Sequence, residues 1–138
     1  KYICNCKLIA FINEFKKSIK LIRKANDKDW GKEFLDLIVS IKSVKSVDDA
    51  INHIDEYSFG HTDGIISNIN KNINTFVQRV NSSAVTVNAS TRFNDGGEIG
   101  LGSEIAISTT KVSPRGPLGL EEITTYKWLI KGKGHTRG

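Results

Sequence analysis

The chain has 138 residues, of which 38% are hydrophobic and 25% charged, a balance typical of one globular domain with a modest core. No stretch approaches the roughly 18 apolar residues that a membrane-spanning helix needs, so we expect no membrane partner. The net charge of +5 is concentrated in residues 1–24, which hold seven basic residues and one acidic residue. We interpret this excess as the solvated face of a helix and expect no nucleic-acid partner.

The first half of the chain predicts a helix, a strand and a second helix. Apolar residues recur at helical spacing over residues 7–24 and indicate an amphipathic helix. Residues 35–44 are rich in β-branched side chains and favour a strand. Ser46 is a typical N-cap for a helix that continues to about Tyr57. The predicted buried side of that helix contains Ala50, Ile51 and Ile54.

The second half of the chain continues the alternation of strands and helices. Residues 64–67 and 83–88 predict two short strands, and the helix between them would be capped by Asn68 or Asn70. Its predicted buried face contains Ile73, Phe76, Val77 and Val80. This order predicts an α/β fold, a parallel sheet with flanking helices. A glycine-rich loop is predicted over residues 90–103. A helical turn over residues 117–123 and a final strand over residues 124–131 follow it.

Both cysteines lie near the start of the chain, at Cys4 and Cys6, without a second pair or a nearby histidine. Zinc sites usually combine four such ligands at characteristic spacings, so we predict no metal site. The two cysteines do not resemble a disulfide framework either, and we expect a reducing, cytoplasmic location.

A polar tip follows the third predicted strand, and we define it as residues 88–92, Asn-Ala-Ser-Thr-Arg. Open α/β folds bind ligands at the carboxyl edge of the sheet, where this strand ends. Arg92 offers a planar guanidinium suited to a carboxylate or phosphate, and Ser90 and Thr91 can donate hydrogen bonds to the same anion. These residues predict an anion site, and the alternative is a capped strand end with one surface arginine.

Several sequence blocks resemble, in the same order, the γ-glutamyl phosphate reductase family of the aldehyde dehydrogenase superfamily. The blocks are DWGKEFLDL from Asp29, GHTD from Gly60, NASTRF from Asn88, GLGSE from Gly100 and RGPLGLEE from Arg115. The resemblance covers the C-terminal part of such enzymes, over about residues 24–138. It implies a partial catalytic domain over residues 25–123 and an oligomerisation strand with a tail over residues 124–138. The basic amphipathic helix of residues 1–24 diverges from the family and precedes this match.

The resemblance implies a homo-oligomeric oxidoreductase of proline biosynthesis that reduces L-glutamate 5-phosphate to L-glutamate 5-semialdehyde with NADPH. Implied substrate contacts come from the polar tip, through Asn88, Ser90, Thr91 and Arg92. Implied cofactor contacts come from Glu33 and Leu35, which align with the Glu-x-Phe-Gly-Pro pattern of the superfamily. Cys4 lies in a sequence similar to the Val-Cys-Asn-Ala motif of the family nucleophile, whose thiolate attacks the acyl phosphate.

Each assignment also has a structural alternative. Glu33 can be a surface glutamate before a buried strand, and His61 with Asp63 can simply fix a loop between a helix and a strand. Cys4 is closer to the Asp29 block than the family spacing. Chance similarity after a frameshift or truncation therefore explains the cysteine motif equally well.

The chain begins at Lys1 and contains no methionine, so we expect a piece of a longer protein. No Gly-x-Gly-x-x-Gly followed by a helix is visible, and we therefore expect no catalysis by these residues alone. The alternative function is a non-catalytic remnant or assembly module that pairs with a partner through residues 124–131. Such an apolar strand edge would aggregate without its partner.

Overall fold

The computed structural model describes residues 24–138, so Cys4 and the helix predicted over residues 7–24 lie outside the described residues, apart from Lys24. The regular elements within the described part are two α-helices and four short strands. They are α1 (Val47–Tyr57), β1 (Thr62–Ile65), α2 (Asn70–Arg79), β2 (Ala84–Val87), β3 (Ala106–Ser108) and β4 (Gly116–Leu118). Two 3-10 turns complete the list, at Asp27–Asp29 and Thr91–Phe93.

The predicted α/β fold class is confirmed. β1 and β2 pair in parallel, with Thr62 opposite Ala84 and Ile65 opposite Val87, and α2 connects the two strands. β3 and β4 form a separate antiparallel hairpin, with Ala106 opposite Leu118. This hairpin was not predicted from the sequence, because each of its strands has only three residues.

The boundaries of α1 follow from local chemistry. The Ser46 Oγ accepts a hydrogen bond from the Asp49 N–H over 3.0 Å, so the predicted N-cap is confirmed. The acidic first turn also suits the positive end of the helix dipole. The helix ends where the Ser58 N–H donates to the Ile54 carbonyl over 2.7 Å.

The start of α2 differs from the prediction. Ile69 occupies the N-cap position and no side-chain hydrogen bond caps the helix, so the predicted cap by Asn68 or Asn70 is wrong. Val77 is 46% exposed and lies outside the core, which corrects the predicted buried face. The reason is geometric, because a helix of ten residues at the surface buries only the narrow stripe that faces the core, here at Phe76.

The core lies between the two helices and one face of the β1–β2 sheet. It consists of Ile51 and Ile54 from α1, Ile65 from β1, Phe76 from α2, and Val80. Burying each such side chain contributes about 1.5–3 kcal/mol. Side chains alternate across a strand, so Ile65 faces the helices, and Thr62 and Gly64 face the opposite side of the sheet.

Two segments predicted as strands are irregular in the single chain. Residues 35–44 adopt no regular structure, and Leu35 has a left-handed backbone with a φ of 52°. Residues 124–131, the predicted oligomerisation strand, also adopt no regular structure. Both segments are largely exposed, and neither pairs with a strand among residues 24–138. A strand needs the hydrogen bonds of a neighbour, which β-branched composition alone does not supply.

Candidate functional site

The polar tip begins with a side chain that joins the ends of β1 and β2. The Asn88 N–H donates to the Ile65 carbonyl over 2.8 Å and so extends the parallel ladder. The Asn88 Oδ1 accepts from the Ser67 N–H at 2.8 Å, and its Nδ2 donates to the Ser67 carbonyl at 3.0 Å. The backbone φ of Asn88 is 51°, a left-handed conformation that asparagine tolerates better than most residues. Its side-chain amide therefore binds the backbone just beyond the end of β1.

After Asn88 the chain folds back over the sheet. Ser90 caps the 3-10 turn Thr91–Phe93, since its Oγ accepts from the Arg92 N–H over 3.2 Å. A Cβ built on Gly64 would lie 3.3 Å from the Thr91 Cγ2, so the Thr91 methyl group covers Gly64. The turn consequently lies on the face of the sheet opposite the helices. The sequence predicted these side chains at the carboxyl edge of the sheet. Asn88 lies at that edge, and Thr91 lies over Gly64, the last residue but one of β1.

Arg92 is the cation of the polar tip. Its side chain is exposed, and among residues 24–138 no hydrogen-bond or ion-pair partner holds its guanidinium. The other cation near the sheet, Arg115, is instead committed to Asn81, through its Nη1 to the side-chain Oδ1 at 2.9 Å and its Nη2 to the carbonyl. Arg92 is therefore available to an anion, whereas Arg115 fastens the hairpin to the start of β2.

The turn is fastened after the tip as well. The Asn94 Nδ2 donates to the Thr62 Oγ1 over 2.7 Å, and the same hydroxyl lies 2.6 Å from the His61 Nδ1. Asn94 is buried, so its amide depends on this partner. The contact was not predicted, although a second asparagine six residues after Asn88 was a visible signal.

The Gly60-His61-Thr62-Asp63 block has a structural role here. The buried Asp63 Oδ2 accepts from the Ser58 Oγ at 2.8 Å and from the Ser82 Oγ at 2.5 Å. These bonds tie the end of α1 to the segment before β2. The structure thus supports the loop-fixing alternative for Asp63.

The glycine-rich loop is closed on itself. The Asp95 Oδ1 accepts from the N–H groups of Gly97 and Glu98, and the Glu104 Oε2 accepts from the Gly96 N–H at 2.8 Å. A Cβ on Gly96 would lie 2.6 Å from the Ser103 carbonyl oxygen, which explains why glycine is needed there. The N–H groups of residues 96–98 are therefore occupied by carboxylates of the chain itself.

The predicted cofactor residues lie on the irregular segment before α1. Glu33 is exposed, and its carboxylate has no hydrogen-bond or ion-pair partner among the described residues. Leu35 is 88% exposed. The exposed carboxylate of Glu33 is free to accept hydrogen bonds from ribose hydroxyls, so this residue fits a nucleotide. Leu35 has a left-handed backbone and an exposed side chain.

A buried histidine connects this irregular segment to α1. The Lys42 Nζ lies 3.0 Å from the His53 Nδ1, and the ring of His53 packs on Trp30 and Tyr57, with centroids 5.3 and 4.6 Å apart. Burial, and then the Lys42 ammonium, lower the pKa of His53, while Glu56 opposes this shift. The neutral ring accepts from Lys42 and anchors the segment that carries Glu33.

Two further properties concern the described residues alone. Neither helix within residues 24–138 combines the length and apolar character needed to cross a membrane. In the same range, no three side chains of histidine, cysteine, aspartate or glutamate come close enough to hold a metal ion.

Known proteins show what the chain is similar to, although no protein-family model matches it. It is 55% identical over 116 residues to "Gamma-glutamyl phosphate reductase" of Clostridium beijerinckii, a match that covers 84% of this chain. It is 50% identical over 127 residues to the protein of that name from Dehalococcoides mccartyi. The crystal structure of γ-glutamyl phosphate reductase from Thermotoga maritima aligns over 99% of this chain, with a TM-score of 0.78 and 43% identity.

The resemblance to γ-glutamyl phosphate reductase is confirmed. The chain spans 28% of the length of the Clostridium relative, 30% of the Dehalococcoides relative and 31% of the Thermotoga chain. It corresponds to the C-terminal part of γ-glutamyl phosphate reductase. The high identity, carried over nearly the whole described fold, means that the polar tip is set in a framework shared with these reductases.

The residues that hold the polar tip in place were not predicted from the sequence. Thr62, Asn94 and Gly64 position the turn, and each lies far along the chain from its partner. Hydrogen bonds across 32 residues leave no periodic signal in a single sequence.

Proposed function

We propose that the chain is part of an oxidoreductase that reduces L-glutamate 5-phosphate to L-glutamate 5-semialdehyde and phosphate with NADPH, in proline biosynthesis. The relatives carry the name of that activity, and the chain is 50–55% identical to several of them. The whole enzyme would be a cytoplasmic homo-oligomer. Residues 25–123 would be a part of its catalytic domain, with a basic helix over residues 1–24.

The observation that carries this proposal is the exposed guanidinium of Arg92, which has no partner among the described residues. It follows two hydroxyl side chains, Ser90 and Thr91, on a turn whose backbone is fixed at both ends. A planar, permanently charged fork with neighbouring donors suits the carboxylate or phosphate of a γ-glutamyl substrate. Asn88 contributes by holding this turn, since its amide is committed to Ser67.

In the proposed reaction, a thiolate attacks the carbonyl carbon of the acyl phosphate, phosphate leaves, and a thioester forms. Cys4 is our candidate for that thiolate on the strength of its sequence motif. NADPH, when bound, would supply the hydride that reduces the thioester; the carbon–sulfur bond then breaks, which releases the aldehyde and regenerates the thiolate. The described residues orient the anionic substrate through Arg92, and Glu33 would hold ribose hydroxyls, with Leu35 beside it.

We further propose that the 138 residues alone are inactive. The first test is NADPH oxidation by the purified chain in the presence of enzymatically generated L-glutamate 5-phosphate, with the Clostridium beijerinckii reductase as positive control. Turnover by the chain at a rate comparable to the control would refute this proposal.

The role of Arg92 can be tested in a chimera. The matched segment of the Clostridium beijerinckii reductase would be replaced by this chain, which is 55% identical to it. The chimera should oxidise NADPH, and Arg92→Ala should lower kcat/KM by about 100-fold or more if a charge-assisted contact worth about 3 kcal/mol is lost. Arg92→Lys, which keeps the charge without the fork, should retain an intermediate activity. An Arg92→Ala chimera with unchanged kcat and KM would disprove the anion site.

A second candidate function, assembly through residues 124–131, is favoured by one observation. Tyr126, Trp128 and Ile130 are 80%, 83% and 91% exposed, and the two aromatic rings meet edge to face at 5.8 Å. Sedimentation velocity of the purified chain tests this second candidate. A defined oligomer that Trp128→Ser dissociates would support an assembly module. A monomer, or unspecific aggregates in both variants, would contradict it.

A further inference from the structure

The polar tip is fastened to the same strand on both sides. Its first residue, Asn88, binds the backbone of Ser67 just beyond the carboxyl end of β1. Two residues after the tip, the Asn94 Nδ2 donates to the Thr62 Oγ1 over 2.7 Å at the first residue of β1. The segment from Asn88 to Asn94 therefore spans the length of β1 and is attached at each end.

The hydrogen bond of Asn94 is more costly to lose than those of Asn88. Asn94 is 9% exposed, and its amide is removed from water, whereas Asn88 is exposed. A buried amide that loses its hydrogen bond is left without the compensation that water would give. Between the two attachments the turn has few bonds of its own, such as the Phe93 N–H to the Ser90 carbonyl at 3.2 Å. The bond to Thr62 is therefore needed to keep the turn against the sheet.

We propose that Asn94 is a positioning residue, which holds Arg92 over the sheet through its hydrogen bond to Thr62. The inference rests on the proposed function, in which Arg92 meets the anionic substrate. Only Phe93 separates Arg92 from Asn94. Releasing Asn94 therefore lets the turn, including Thr91, move away from Gly64. A turn that is ordered before the anion arrives binds more tightly, because less conformational entropy is lost on binding.

The test uses matched variants at the partner of Asn94. Thr62→Val keeps the shape of the side chain and removes the hydroxyl, while Thr62→Ser keeps the hydroxyl and is the control. Asn94→Ala removes the other half of the bond and leaves the contact between Thr62 and His61 in place. Two properties of the 138-residue chain would be measured by NMR. They are amide hydrogen exchange over residues 91–94 and the dissociation constant for inorganic phosphate, followed at the Arg92 Nε–H resonance.

Thr62→Val and Asn94→Ala should each speed exchange at residues 91–94 and weaken phosphate binding by about fivefold, the size expected for one lost hydrogen bond. The double variant should be no worse than either single one, because both remove the same bond. Thr62→Ser should match the wild type in both measurements. Exchange in β2, measured at Val85, should change little in any variant.

Two results would overturn the proposal. One is exchange at residues 91–94 that is the same in Thr62→Val as in the wild type. The other is a lower melting temperature in Thr62→Val and Asn94→Ala with an unchanged dissociation constant for phosphate, as a merely structural role would give. A wild-type chain that binds no phosphate would count against the proposed function alone. The exchange measurement would then still decide whether Asn94 positions the turn.

Discussion

The turn that carries Arg92 packs closely on Gly64 of the sheet, and Gly64→Ala tests this contact. A Cβ at this position would lie 2.3 Å from the Thr86 Oγ1 and 3.3 Å from the Thr91 Cγ2. The Thr86 hydroxyl is buried, and a β-branched side chain has little freedom to rotate away. The added methyl group must therefore displace β2 or lift the turn.

The magnitude follows from two opposing effects. Overpacking a tight site costs about 1–3 kcal/mol. Alanine also restricts the unfolded chain relative to glycine, which stabilises the fold by about 0.4–1 kcal/mol where the backbone accepts it. We expect Gly64→Ala to lower the free energy of unfolding by about 1–2 kcal/mol in total. Urea unfolding of the chain, followed by far-UV circular dichroism, measures this quantity.

Two controls make the assay specific. Gly132→Ala should be neutral, because a Cβ there would lie at an ordinary 3.5 Å from the His135 Nδ1. In a Thr86→Ala background, Gly64→Ala should lose at least half of its cost, since the clashing hydroxyl is gone. A cost of less than about 0.5 kcal/mol in the wild-type background would refute the close contact between the strands. Equal costs in both backgrounds would refute the part assigned to Thr86.

Three further predictions concern contacts that hold the site. Burial and the neighbouring lysine ammonium lower the pKa of His53, so the unfolded chain binds this proton more tightly than the folded chain does. The free energy of unfolding should be highest above about pH 6.5 and fall as the pH drops below it. His53→Phe should flatten this pH dependence, as measured by urea unfolding at several pH values. An equal slope in both chains would contradict the assignment to His53. Asn88→Gly keeps the left-handed backbone and should lower the free energy of unfolding by about 1 kcal/mol, because the side-chain hydrogen bonds are lost. Asn88→Ala should lower it by roughly 1 kcal/mol more in the same assay, because alanine is strained in this backbone conformation. Equal losses in the two variants would show that backbone strain contributes nothing. Arg115→Gln should speed hydrogen exchange in β3 and β4, because it releases the hairpin from Asn81. Arg137→Gln in the exposed tail is the control and should change nothing. Unchanged exchange in the hairpin of Arg115→Gln would contradict the anchoring role.

The helices could be predicted from the sequence because their information is local. Ser46 and the two following aspartates mark the start of α1, and the spacing of Ile51 and Ile54 marks its buried side. β2 was predicted to within a residue at each end, since it pairs with β1 inside the chain. β1 begins two residues earlier than predicted, at Thr62. The sequence also identified the polar tip, although not its fold-back over Gly64.

The two segments predicted as strands but found irregular have a common physical explanation. Leu37 and Ile130 are almost fully exposed, and β-branched or aromatic side chains recur around both. Helical hydrogen bonds close within one segment, whereas a strand must pair with another segment. Composition therefore reports a preference for a sheet without reporting where the neighbouring strand lies. The chain spans only 28–31% of the relatives to which it is similar, so the sequence alone does not identify a neighbour for either segment. The polar tip avoids this dependence, because Ser67 and Thr62 hold it from within the same chain.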